Sequence, residues 1–305
     1  MTLQFQVPAP ENGPGNNSDN INVDSNPSPN GSRLENYARR LAGEHSVDRV
    51  PLSATPSAGA QSTTYPTSHL PSLLNHLPKL AIRLRAAHRY FVNAPPEELA
   101  LAYASEWLLD NFHLIEVTLR QIKDDLPAGY YRQLPKLSAA GPLQGYPRIY
   151  ALVRGFLHYD EAQTDPERLQ RFVDAYQQSS VLTMGELWAL PIMLRWALLE
   201  SIAQAAGQLT GQTLDSNQVP YTYQASDNEL IANAIPSLRR VDSQDWNDFF
   251  EQVSRVQQIL CRDPADIYAR MDFATRNRYR SVIEQIARAT GHAEALVAGW
   301  AVDHA

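Results

Sequence analysis

The chain has 305 residues, 44% hydrophobic and 19% charged, a composition that suits a globular protein with a sizeable core. Its formal net charge of −7 excludes a general nucleic-acid binder, which carries a basic excess. Cys261 is the only cysteine, so an intramolecular disulfide and a cysteine-based zinc site are both excluded.

Residues 1–31 are rich in Asn, Pro, Ser and Gly with little to bury, and are expected to form a disordered tail without a secretory leader. Ser32-Arg33-Leu34-Glu35 then reads as a capping box, which predicts a short helix over 33–44 within a tethered segment 32–45. Residues 46–71 return to Pro, Ser, Thr and Gly and read as a flexible linker. A helical domain is expected over 72–305, with possible layers at 72–210 and 226–305.

Within it, apolar spacing predicts helices at 72–92 and 96–124, the second ended by Pro127. Residues 127–147 hold four prolines and three glycines, so they predict a loop with at most one short helical turn. Helices follow at 148–161, 166–178 and 184–209, the last two opened by Asp165-Pro166 and by a second capping box, Thr183 to Glu186. The segment 211–236 reads as a polar connection with order only over 228–235. Further helices are predicted at 245–261, 264–271, 273–290 and 293–303, with Asp263 as a cap and Gly291 as a stop. No alternating strand pattern occurs. The fold class is therefore all-α, a bundle-like body of roughly nine to ten helices. Leu187–Ile202 is its most apolar stretch, but Arg195 and Glu200 interrupt it, so no membrane span is expected in the chain.

Three groups of residues could carry chemistry or contacts. Glu106, Asp110, His113 and Glu116 recur at steps of four, three and three along one predicted helix. Asp110-x-x-His113 has the form of a di-metal ligand pair, but such a site needs a second pair and two more carboxylates, and none is found. A structural polar stripe or a contact surface for a partner domain is the reading left. Tyr130, Tyr131, Arg132, Tyr146, Arg148 and Tyr150 crowd the proline-rich loop. They suit either a stacking surface or the packing of a rigid loop. Arg276, Arg278, Arg280 and Arg288 make one late helix basic and read as a solvated, ion-paired face. Lone Cys261 reads as an inert residue near a helix end. No phosphate loop, zinc helix, nucleophile elbow or dinucleotide turn exists, so no catalytic residue, metal or cofactor is assigned.

The runs Glu106–Pro127, Gly129–Leu137 and Gly141–Tyr150 resemble the N-terminal region of bacterial cyclic β-1,2-glucan synthases. So do Arg171–Gln177, Leu182–Ala189, Asp263–Ala265, Tyr268–Arg276 and Tyr279-Arg280. The resemblance covers most of 72–300 and, weakly, 33–44. It implies a helical region that precedes membrane spans, a UDP-glucose-dependent glucosyltransferase domain and a phosphorylase-like domain. The family's Asp-x-Asp motif is absent here. Arg195-Trp196 has Ile192 where the acceptor motif requires glutamine. The resemblance thus implies a non-catalytic scaffold whose partner is the transferase domain, in cis or as a neighbouring chain. It would sit in the cytoplasm at the face of the inner membrane. The alternative is a free-standing helical interaction module. In either case the contact residues expected are Glu106, Asp110, His113, Glu116, Tyr130, Tyr131, Arg132, Tyr146 and Arg148.

Overall fold

The computed structural model describes residues 32–47, 72–95, 103–211 and 223–305. The expected tail 1–31, nearly all of the linker 46–71, and residues 96–102 and 212–222 lie outside the described residues. Thirteen α-helices occur among the rest: α1 (Arg33–Glu44), α2 (Leu73–Asn93), α3 (Tyr103–Asp110), α4 (Phe112–Asp125), α5 (Ala128–Gln133), α6 (Arg148–Tyr159) and α7 (Pro166–Gln177). They continue with α8 (Met184–Leu209), α9 (Asp227–Ser243), α10 (Trp246–Val253), α11 (Arg255–Leu260), α12 (Phe273–Thr290) and α13 (Glu294–Asp303). Two isolated bridges are the only extended pairing among the described residues. The all-α fold is as the sequence predicts.

Helix α8 is the axis. Apart from half-buried positions such as Arg195, Glu200 and Gln204 it is apolar on most of its surface, which marks a largely enclosed helix. Helices α2, α4, α6, α9 and α10 pack around it. Trp196, Leu190, Met193, Leu194 and Ile202 lie fully inside one core that runs from Leu34 to Ala298. Three interior prolines, Pro78, Pro191 and Pro236, are tolerated in α2, α8 and α9. Each removes one helical N–H donor, and only packing can offset that loss. No helix among the described residues is long and apolar enough to cross a membrane.

Both predicted capping boxes form. The Ser32 backbone N–H donates to Glu35 Oε2 at 2.7 Å, and the Thr183 N–H donates to Glu186 Oε2 at 2.9 Å. Gly291 ends α12 at φ 72°, as its type requires.

The helix count exceeds the expected range for local reasons. The helix expected over 96–124 divides at buried Asn111, whose amide donates to the Trp107 carbonyl at 2.8 Å and whose own oxygen accepts from Arg239. A side chain that occupies a backbone acceptor competes with the helix ladder. The helix expected over 245–261 divides at Ser254, which is extended (ψ 117°) and caps α11 through the Gln257 N–H. The connection expected over 211–236 instead contains the start of α9, opened by a third capping box, Ser226 with Glu229. Residues 264–271 form only a 3-10 turn, Tyr268–Arg270. There the Asp263 carboxylate accepts from the N–H groups of Ala265, Ile267 and Tyr268, so it closes a tight turn rather than a helix start.

Helix α1 lies against α6 and α7. The approach is closest at Gly155, where an added Cβ would sit 2.5 Å from Leu41 Cδ2 and 3.4 Å from the Tyr37 hydroxyl. Gly155→Val is expected to push α1 off this groove, lowering stability by roughly 1–3 kcal/mol. Urea denaturation gives the loss, and faster proteolytic cutting at α1 locates it.

Candidate functional site

The densest polar construction lies where the loop 134–147 meets the start of α8. The loop is tied down by backbone bonds: the Leu137 N–H donates to Tyr146 O and the Gly145 N–H to Leu137 O, both at 2.9 Å. Gly145 takes φ 80°, which glycine adopts without strain. The Ser138 N–H reaches back to Ser46 O at 3.0 Å, so the chain after α1 forms a third edge of the same loop.

Immediately after this loop stands Arg148, only 4% exposed. Its Nε donates to Glu186 Oε1 at 2.8 Å and its Nη2 to Glu186 Oε2 at 2.5 Å, a bidentate pair with Glu186 fully buried. The remaining donors go to Ser180 Oγ at 2.8 Å and the Val181 carbonyl at 3.0 Å. Glu186 also serves the Thr183 cap, so one carboxylate holds the arginine and closes the helix start together. Such a pair is satisfied but costly to desolvate, and removing one member leaves an uncompensated buried charge.

Two neighbours respond to this charge. His45 Nδ1 lies 3.0 Å from the Tyr176 hydroxyl, and burial together with Arg148 lowers its pKa to about 4, keeping it neutral. Glu294, at the first turn of α13, accepts from the Met184 N–H at 2.7 Å. Burial above all, with the nearby carboxylates Glu284 and Glu186, raises its pKa to about 7, against the pull of the Met184 N–H and, less, of Arg288. Tyr130 completes the surroundings by donating to the Gly185 carbonyl at 2.6 Å.

Deeper along α8, Glu200 accepts from the Tyr150 hydroxyl at 2.6 Å and from Trp196 Nε1 at 3.0 Å, with Arg154 Nη1 3.9 Å away. Arg195 pairs with Asp242 at 2.9 Å. The Arg195-Trp196 dipeptide is therefore committed to packing. Lys136, held by burial at a pKa of about 7, donates to the Tyr131 carbonyl at 2.8 Å and stands 3.5 Å from the centre of that tyrosine's ring.

The predicted contact residues separate into two groups. Tyr131, Tyr146 and Arg148 are buried and face the interior, and Tyr130 is half-buried. Glu116 forms a bidentate pair with Arg85 at 2.6 and 2.8 Å. Glu106, Asp110, His113 and Arg132 have exposed positions. Among the described residues, no three or more His, Cys, Asp or Glu side chains are placed to hold a metal ion.

The basic helix α12 is ion-paired as expected and exposes Arg278 and Arg288, but Arg280 departs from the solvated face. Arg276 pairs with Glu251 at 3.0 Å, and Arg288 bonds to Glu284. Arg280 is 1% exposed, enclosed between the Phe250 and Phe273 rings at 5.0 and 4.7 Å, and donates to Gln257 at 2.9 Å. The sequence carried no sign of this burial, because an arginine at a core position of a helix looks like its solvated neighbours.

An open cleft lies between Leu169, Leu194, Val241, Trp246 and Phe249. Its charged groups are occupied: Asp165 caps α7 and Arg240 donates to the Thr164 carbonyl. The cleft holds no free acid–base pair.

On the outside, α12 and α13 expose Tyr279, Val282, Ile286, Leu296 and Trp300. The first three recur at steps of three and four, and the last two at a step of four, so each helix presents an apolar stripe beside its buried one. Helix α13 is apolar on every side, a pattern ordinarily found in enclosed helices, yet it is covered on part of its circumference only.

No protein-family profile matches the chain. It is similar to the cyclic β-(1,2)-glucan synthase NdvB of Rhizobium meliloti (strain 1021), 29% identical over 271 residues. The match covers 66% of this chain and 9% of that protein. The likeness agrees with the resemblance read from the sequence.

Glu294 gives a pH test. Its folded-state pKa of about 7 exceeds the ordinary 4.5, so the folded protein holds the proton longer than the unfolded chain. Its contribution to stability therefore declines as pH rises from about 4.5 to about 7. Glu294→Gln keeps an acceptor for the Met184 N–H without the charge. The stability of the variant relative to the parent should climb across that interval by roughly 1–3 kcal/mol and level off above it. Urea titrations at several pH values between 4.5 and 8.5 measure this difference, in which the opposing contribution of His45 cancels.

Proposed function

We propose that this chain is a helical, non-catalytic region of a cyclic β-1,2-glucan synthase that supports the glucosyltransferase portion. The association is in cis or with a neighbouring chain, on the cytoplasmic side of the bacterial inner membrane. The observation that carries this reading is the likeness to a glucan synthase of which the chain spans about a tenth. Two further observations support it. The sequence lacks the donor and acceptor motifs of the transferase family. The buried polar side chains around α8 are committed to one another, which leaves them unavailable to a sugar nucleotide.

The docking surface we assign to the transferase portion is the paired apolar stripe of α12 and α13. Tyr279, Val282 and Trp300 are 50%, 51% and 42% exposed. Large aromatic and aliphatic side chains of this kind form the energetic centre of protein contacts, and water would be expelled from them on docking.

Co-expression of the chain with the remainder of a cyclic β-1,2-glucan synthase, membrane spans and transferase included, should yield a complex that survives size-exclusion chromatography. Val282→Asp with Trp300→Asp should weaken the complex by about a hundredfold or more, since each buried, unpaired carboxylate costs well over 1 kcal/mol. Both residues are exposed in this chain, so its own melting temperature should stay close to the parent value. Absence of any complex, or capture by an unrelated partner alone, would favour the free-standing interaction module.

A further inference from the structure

We infer that the outward ridge of α3 formed by Tyr103, Glu106, Trp107 and Asp110 binds an uncharged glucose oligosaccharide. The choice of a glucan rests on the function proposed above; the ridge itself is read from its geometry. At 3.6 residues per turn the four positions fall within an arc of about 100°. The opposite side of the helix buries Ala104, Ser105 and Leu108. Helices α2 and α9 fix it there, and the Ala104 N–H donates to Asn228 Oδ1 at 3.3 Å. The ridge is thus a fixed feature of the surface.

Its composition alternates in kind. Tyr103 is 50% and Trp107 37% exposed, and Glu106 and Asp110 lie beside and beyond them. Neither ring has an aromatic partner, and neither carboxylate has an ion pair or hydrogen-bond partner, among the described residues. Four residues of helix raise Trp107 about 6 Å above Tyr103, a separation comparable with one pyranose unit.

A protein partner suits this ridge poorly. Glu and Asp are depleted from the centres of protein contacts, because a carboxylate taken out of water must find charged or multiple donors. A glucan meets both halves of the pattern. The C–H face of a pyranose lies on an aromatic ring, and its edge carries hydroxyl donors in every direction. Hydrogen bonds from hydroxyls to an ionised carboxylate are about twice as strong as neutral ones. No net charge is required of the ligand, and none of the four residues need leave its exposed position.

The ridge is also remote in kind from the apolar stripe assigned to the transferase. One helical body could therefore hold a growing or finished chain on α3 while α12 and α13 engage the enzyme.

The test is a titration of the isotope-labelled chain with purified cyclic β-1,2-glucan, followed by NMR at the Trp107 indole N–H and the amides of 103–110. We expect saturable shifts confined to α3 and its neighbours. Trp107→Ala should weaken binding about tenfold or more, and Glu106→Gln with Asp110→Asn by about threefold or more, with circular dichroism unchanged. Absence of shifts at millimolar glucan, or an affinity that Trp107→Ala leaves intact, overturns the inference. If Trp107→Ala instead abolishes the complex with the rest of the synthase and no glucan binds, the ridge is a protein contact; the inference fails and the supporting role survives. If glucan binds at α3 but no complex forms with the transferase portion, the inference stands and the supporting role falls.

Discussion

The buried pair of Arg148 and Glu186 is the contact on which the rest of the structure depends. It joins the end of an irregular loop to the first turn of the central helix, across 38 positions of sequence. Three constraints converge on it. Arg148 needs every donor satisfied because it lies inside, and it finds Glu186, Ser180 and the Val181 carbonyl. Glu186 is the carboxylate paired with that charge, and its second duty at the Thr183 cap places it against a helix N-terminus, where negative charge is favoured. The loop 134–147 is tied across its ends, with the Leu137 N–H on Tyr146 O and the Arg148 N–H on Pro135 O, both at 2.9 Å. With the loop fixed, the segment after α1 has an edge to bond, and α1 settles on α6 and α7.

Around that node the protein uses its polar interior for order. Glu200, Tyr150 and Trp196 form one closed set, and Arg195 with Asp242 another. Arg280 lies between two phenylalanine rings. A catalytic site would show an acid, base or nucleophile with unspent bonding capacity beside a cavity. Glu200 and the Arg195–Asp242 pair are engaged in this way, whereas Arg280 bonds through Nη1 and leaves Nε and Nη2 without a hydrogen-bond partner among the described residues. Among the exposed surfaces of the described residues are an apolar stripe on α12 and α13 and an aromatic–acidic ridge on α3. Both are of a kind that binds a partner or a ligand.

Much of the fold was legible in the sequence. Ser32 with Glu35, Thr183 with Glu186, Asp165 before Pro166 and Gly291 act through neighbours at most four residues away, so sequence displays them directly. The start of α9 carried the same signal in Ser226 and Glu229, but Pro236 and the polar residues before it obscured a helix that packing on α8 sustains. The break at Asn111 was hidden for another reason: an asparagine within an apolar-periodic run looks like a solvated position. Only Arg239, 128 residues away, makes it a fixed kink. The candidate contact set was legible in part. Its tyrosines and Arg148 were noticed for their density around a rigid loop, yet composition could not say which faced inward. Burial of a charge depends on a partner distant in sequence, and periodicity carries no information about that partner. The ridge on α3 was half visible, since Glu106 and Asp110 were picked out by their spacing while Tyr103 and Trp107 beside them were not.

A double-mutant cycle on the pair tests the account most directly. Arg148→Met and Glu186→Gln are each expected to cost about 3–5 kcal/mol, because each leaves a buried group uncompensated. Together they should cost far less than the sum, giving a coupling of several kcal/mol in urea denaturation. Losses that simply add, with a coupling below about 0.5 kcal/mol, would contradict the claim that this contact organises the fold.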